Sequence, residues 1–255
     1  MNTILIALAV LPVLILAYVV YRQDKVEKEP FGKLLKAFLM GCLAVVLAIG
    51  MEEALSAFTP QVPLLRGTYT GFIVAGCSEE LCKLLVLYWA VWKSKEFNEY
   101  FDGIVYACFV SLGFAGVENI GYVVMQDSYI DSLSVGVTRA VLSVPGHFLF
   151  GVMMGYYFAL AKFTPSKRKE YMIKAFAVPM LWHGTFDSLL MVAEDLGEGV
   201  ELVTGGLLIL FIVFDIKMWK WGVRRIRRLQ QLSNKQKNEQ DSLPLNPFDG
   251  FKWYV

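Results

Sequence analysis

The chain has 255 residues, 56% hydrophobic and 18% charged, with a formal net charge of +1 and a mean hydropathy of +0.50. Its apolar residues fall in long blocks instead of short alternations, which excludes an ordinary soluble domain. The near-zero net charge conceals lysines and arginines gathered at particular segment ends.

Seven segments are long enough to cross about 30 Å of hydrocarbon as helices: 3–21, 33–51, 69–92, 102–125, 136–160, 171–193 and 201–221. The backbone has no water to bond inside a bilayer, so the expected fold is an all-α polytopic membrane protein of about seven transmembrane helices. Met1–Val20 has the length of a signal peptide but no basic residue ahead of its apolar run, and is expected to stay as the first helix. Arg22, Lys25, Lys28, Lys33 and Lys36 follow it. The second segment ends at the acidic pair Glu52 and Glu53 and is the least regular. The third carries 79-EELCK-83 and is followed by Lys93 and Lys95. The fourth carries 114-FAGVENIGY-122. The fifth carries His147, downstream of Arg139, and is followed by Lys162, Lys167, Arg168, Lys169 and Lys174. The sixth carries 183-HGTFD-187, and the seventh ends in Lys217, Lys220, Arg224, Arg225, Arg227 and Arg228.

The alternate loops hold only Arg66 and Arg139, and 194-EDLGEGVE-201 is purely acidic. That alternation predicts a multi-pass protein of the cell membrane with its N-terminus outside and its C-terminus in the cytoplasm. Residues 1–221 form one membrane domain; 222–255 are a basic juxtamembrane segment and a polar cytoplasmic tail. The stretch 217-KMWKWGVRRIRRLQ-230 is expected to be an interfacial helix held by anionic lipid, and its place beside the bilayer argues against nucleic acid as a partner. Residues 231–255 are polar and turn-rich up to a terminal aromatic patch and are expected to be partly disordered. The cysteines Cys42, Cys77, Cys82 and Cys108 all fall within spans and suit buried apolar positions better than a disulfide framework. No repeat, phosphate-binding glycine loop or carboxylate-rich calcium loop is present in the sequence.

The ionisable residues inside the spans are few: Glu79, Glu80, Lys83, Glu118, His147, His183 and Asp187, with Asn119 beside them. Under the charge-derived topology they lie about 9–17 Å below the outer boundary at 1.5 Å per residue, forming one polar layer in the outer half of the membrane. Isolated charges there are costly, so they are expected to pair or to line a wet cavity. Glu79 and Glu80 stand at i,i+4 and i,i+3 from Lys83, within its reach, and His183 and Asp187 share a helix face. Adjacent glutamates diverge by about 100°, so one can face a cavity while the other binds a neighbouring helix. Glycines flank these groups, among them the four-spaced pair Gly151 and Gly155, which suits close helix approach.

Such a constellation supports acid–base hydrolysis, in which a carboxylate takes a proton from water and histidines hold the carbonyl oxygen or protonate the leaving amine. It equally supports a zinc site, with His147, His183 and Glu118 or one of the paired glutamates as ligands. No histidine–thiol or histidine–serine spacing supports a covalent nucleophile at Cys77, Cys82, Ser78 or Ser143. A proton-coupled transporter or channel also uses embedded carboxylates and histidines, and a noncatalytic scaffold uses such pairs as structural glue.

Taken together, EExxK at 79–83, FxxxE with a following Asn at 114–119, a histidine at 147 with Arg139 upstream, and HxxxD at 183–187 resemble the PrsW family of intramembrane proteases. That family lies within the wider CAAX-protease and bacteriocin-processing superfamily. The likeness extends over about residues 10–215 and leaves the tail outside it. It implies an intramembrane protease domain that cleaves single-span membrane proteins, an anti-sigma factor in the best-known case. It also implies Glu79, Glu80, Glu118, His147 and His183 as catalytic residues, with Lys83, Asn119, Arg139 and Asp187 in support. The family is often classed as metallopeptidase, whereas the related CAAX proteases resemble a glutamate-dependent type, so zinc stays an open cofactor.

Overall fold

The computed structural model describes residues 3–196 and 199–242, and every element of regular structure among them is helical. The helices are α1 (Thr3–Gln23), α2 (Phe31–Ser56), α3 (Pro63–Tyr69), α4 (Ser78–Val91), α5 (Asp102–Val124), α6 (Tyr129–Thr138), α7 (Val144–Phe163), α8 (Arg168–Asp195) and α9 (Glu201–Asp241). π-Helical turns at Thr70–Cys77 and Arg139–Ser143 weld α3 to α4 and α6 to α7, so the expected third and fifth spans each begin earlier than their apolar runs. Arg66 explains the first extension, since it forms an ion pair of 2.7 Å with Asp195 at the end of α8 and is not left bare at the boundary.

Six helices are long and apolar enough to cross a membrane by length and composition. The seventh, 63–91, carries Glu79, Glu80 and Lys83 in its middle and lies outside that set for this reason. The protein is therefore a multi-pass membrane protein of six to seven spanning helices. Apolar side chains on α1, α2 and α9 face outward, among them Leu14, Ile15, Val46, Ile209 and Ile212, as a lipid-facing surface demands.

α5 is the axis of the bundle, buried along most of its length and packed against α1, α2, α4, α6 and α7. Glycine makes this possible. A Cβ on Gly155 of α7 would stand 2.6 Å from the Ile104 Cα of α5, and one on Gly151 would stand 2.9 Å from the Ser111 Cβ, so the two backbones touch where the four-spaced pair was expected to let them. The four cysteines are free, with Cys82 and Cys108 buried.

The basic stretch 217–230 does not form a separate helix along the interface. It continues α9 without a break as far as Asp241. At 1.5 Å per residue that helix is about 60 Å long, roughly twice the hydrocarbon thickness, so its distal half stands clear of the spanning region. Packing replaces the bend: Met218, Gly222, Leu229 and Ser233 are buried, and Gln236 donates to the Asn98 carbonyl at 2.9 Å. The turn-rich sequence 243–255, with its aromatic end, lies outside the described residues.

Candidate active site

Four helices meet at one buried cluster. Its centre is the ammonium of Lys83, which is wholly buried and lies 3.0 Å from Glu79 Oε2, 2.8 Å from Glu80 Oε1 and 3.0 Å from His147 Nδ1. An ammonium only donates, so His147 accepts at Nδ1 and carries its proton on Nε2. From there it donates to Glu118 Oε2 at 2.8 Å. His183 presents Nδ1 to Glu80 Oε1 at 2.9 Å and Nε2 to Asp187 Oδ2 at 3.1 Å, the arrangement of an imidazolium between two carboxylates. Phe114 lies under the Lys83 ammonium at 4.1 Å, and Phe150 stacks on the His183 ring at 4.6 Å.

The supporting residues form a second arc. Arg139 places Nη2 3.0 Å from Glu118 Oε2 and donates from Nε to Asn119 Oδ1 at 2.9 Å, while its guanidinium lies 4.0 Å above the Tyr122 ring. Asn119 in turn donates to the Ala9 carbonyl of α1 at 2.9 Å. The first helix is thus tied to the site through two hydrogen bonds.

Local sequence explains why the groups converge. The π turn before α4 holds more residues per turn than an α-helix and resets the rotational phase of Glu79, Glu80 and Lys83. A second π turn stands just upstream of His147. The first packs directly on α8: a Cβ on Gly76 would lie 3.0 Å from the Gly184 nitrogen, next to His183. Any larger residue there would push the glutamates away from the histidine. Pro179 within α8 and Pro145 at the start of α7 are the neighbouring helix perturbations.

A cavity of about 580 Å³ opens beside the cluster and extends toward the C-terminal ends of α5 and α8, where Met125 and Glu194 line it. Glu79, Glu118, Arg139, His147, His183 and Asp187 reach its wall; Glu80 and Lys83 do not. Val45, Ala48, Ile49, Val74 and Phe186 make much of the remainder apolar. The structure therefore brings together all nine residues singled out in the sequence and separates the two adjacent glutamates by environment. It also adds Glu52 to the cavity lining, from the last turn of α2. Glu53, its neighbour, is exposed. The signal was present as an acidic pair closing an apolar run, read only as a span boundary.

Glu79, Glu80, His147 and His183 each offer a ligand atom within 4.8 Å of the others, so the cluster can hold a metal ion. Their donor types suit zinc, and Glu80 Oε2 is buried without a hydrogen-bond partner. Against this, Lys83 stands where three of the four donors converge.

Buried carboxylates and histidines that share a cavity with apolar walls inside a polytopic helical bundle fit an intramembrane protease. Residues 29–216 match the family model for the PrsW family intramembrane metalloprotease, and the chain belongs to that family. It is 36% identical over 233 residues to the protein named Protease PrsW of Clostridioides difficile strain 630, covering 91% of this chain and 93% of the relative. To the Protease PrsW of Geobacillus kaustophilus strain HTA426 the chain is 33% identical over 232 residues, covering 91% and 95%. The Protease PrsW of Bacillus subtilis strain 168 is 27% identical over 234 residues, covering 91% and 98%. No solved structure matches the chain.

Proposed function

We propose that the protein is an endopeptidase that hydrolyses peptide bonds of membrane-protein substrates in its cavity, with Glu79 as the general base. The observation that carries this is the division of labour between the two glutamates. Glu79 reaches the cavity wall, with one oxygen held by Lys83, whereas Glu80 is closed off and clamps His183. Glu79 takes a proton from a cavity water as the water oxygen bonds to the scissile carbonyl carbon. The resulting oxyanion gains from the positive His183 and Arg139 on the same wall. When the C–N bond breaks, the proton held by Glu79 passes to the leaving amine. Asp187 and Glu80 keep His183 oriented; Glu118, pinned by Arg139, does the same for His147.

A second reading rests on the four-residue donor cluster. In it, His147, His183 and a carboxylate from Glu79, Glu80 or Glu118 hold zinc, which would supply Lewis acidity and an activated water. Lys83 favours the metal-free reading, since a dication at the same point would meet its ammonium. Metal analysis of active, chelator-washed protein separates the two. The expected result is full activity with less than stoichiometric zinc; tightly held zinc whose removal and return track activity would overturn it.

The substrate class follows from the cavity and the resemblance together. Single-span proteins with a segment weakened by Gly, Ser or Pro are the expected substrates, an anti-sigma factor among them, because helical peptide bonds are shielded until the helix unwinds. The cavity extends away from the lysine-rich loops, which supports cleavage in the outer half of the membrane with the N-terminus outside, the basic face of α9 resting on anionic lipid. Mapping the new terminus of a cleaved substrate tests this. A cut near its outer membrane boundary is expected, and a cut at the cytoplasmic boundary would overturn the orientation.

A further inference from the structure

At the end of α5 remote from the cavity lies a second set of buried carboxylates that the proteolytic reading does not use. Asp24 and Glu29 come from the α1–α2 loop, Glu99 from the α4–α5 loop and Asp102 from the first turn of α5. All four are buried. Among the described residues, no lysine, arginine or histidine side chain lies within 4.0 Å of any of these carboxylates. Lys28, the nearby cation in sequence, spends its ammonium on the backbone carbonyls of Tyr21 and Asp24. The active-site carboxylates, by contrast, are balanced by Lys83, Arg139 and His183.

The hydrogen bonds that do exist leave several of the carboxylate oxygens bare. Asp102 Oδ2 accepts the Asn98 and Glu99 amides at 3.0 and 2.8 Å, and Asp24 Oδ2 accepts the Glu29 amide at 3.4 Å. Glu29 accepts the Tyr106 hydroxyl. Asp24 Oδ1, Asp102 Oδ1 and both oxygens of Glu99 are buried with no partner. Glu99 is only 5% exposed, so its carboxylate is an unanswered acceptor aimed into the cluster. Ligand oxygens from Asp24, Glu99 and Asp102 all lie within 4.8 Å of one another.

Buried anions without a counter-charge are too costly to stand unless something neutralises them. We propose that Asp24, Glu99 and Asp102 form a binding site for a hard divalent cation, magnesium or calcium, distinct from the active site. Oxygen-only donors with no histidine or cysteine select such ions over zinc or copper. Ligand oxygens of one calcium or magnesium ion lie within about 5 Å of one another, and the oxygens of these three residues lie within 4.8 Å. Backbone amides fix the carboxylate orientations as an outer layer of hydrogen bonds does around a metal ion. Two clefts, of about 320 and 220 Å³, reach the cluster from either side of Ser233 and supply an entry path, one lined by Glu99 and Gln236 and the other by Asp24.

The ion would join the α1–α2 loop, the α4–α5 loop and the first turn of α5 through Asp24, Glu99 and Asp102. Ser233 already accepts the Phe101 amide at 2.9 Å, and Gln230 donates to the Gln23 carbonyl at 2.7 Å. These two bonds hold the distal half of α9 against Phe101 and the end of α1, beside the ion site.

The test uses full-length protein in detergent, stripped with chelator and titrated calorimetrically with magnesium and separately with calcium at neutral pH. Wild-type protein and Glu79→Gln are expected to bind one ion per chain at submillimolar concentration. Glu99→Gln and Asp24→Asn are expected to weaken that binding at least about tenfold. Absence of binding by wild-type protein to either ion would overturn the site. Binding by both loop variants with wild-type affinity would overturn it too. Loss of binding in Glu79→Gln alone would place the ion in the active site instead.

Discussion

Replacing Glu79 with glutamine is expected to lower the cleavage rate by about 10²–10⁴-fold, the usual worth of a positioned general base, while the protein stays folded. Glutamine keeps the shape of the side chain and an oxygen for the Lys83 ammonium, now 3.0 Å away. What it loses is the capacity to take a proton from water. Glu80→Gln is expected to fail differently. Glu80 is fully buried and bonded to both Lys83 and His183, so its loss disturbs the orientation of His183 as well as the charge balance, and stability should fall together with activity. Cleavage of a reconstituted membrane-protein substrate by the two variants, beside their thermal unfolding, checks the assignment. Normal cleavage by Glu79→Gln with a dead, well-folded Glu80→Gln would exchange the two roles. Normal cleavage by both would sink the hydrolytic reading of the pair.

The second large effect concerns Lys83. Exchanging it for methionine keeps most of the side-chain volume but removes the one ammonium shared by Glu79, Glu80 and His147. Two carboxylates then remain buried with less compensation, and breaking a buried ion pair by deleting one partner costs about 3–5 kcal/mol. A marked fall in the unfolding temperature is expected, with loss of cleavage, because Glu79 and His147 lose their common anchor. Unfolding at wild-type temperature would show that the two glutamates are not charged together in the folded protein.

These outcomes bear on how much the sequence already disclosed. The spacing of Glu79, Glu80 and Lys83 announced an ion-paired cluster, since residues three and four apart share a helix face wherever the helix sits. His183 with Asp187 was legible for the same reason. The pairing of Arg139 with Glu118 and Asn119 was not, because it spans two helices whose relative rotation no local pattern records. Nor was the role of Glu52, which depends on how far α2 continues past its apolar run and which way its last turn faces.

Hydrophobic block length and basic-residue alternation are properties of the chain itself. By themselves they determined that this is a multi-pass helical membrane protein, and its four polar motifs placed it among the proteases. Tertiary structure decided the rest: that Glu79 and not Glu80 reaches the cavity, that π turns set the phase of the motif helices, and that α9 continues unbroken to Asp241. It also gathered Asp24, Glu99 and Asp102 from separate elements into one buried group. The physical reason is common to all of them. Helical periodicity fixes angles within one helix, but the depth and rotation of one helix against another come from contacts between residues far apart in the chain, such as Gly76 against Gly184.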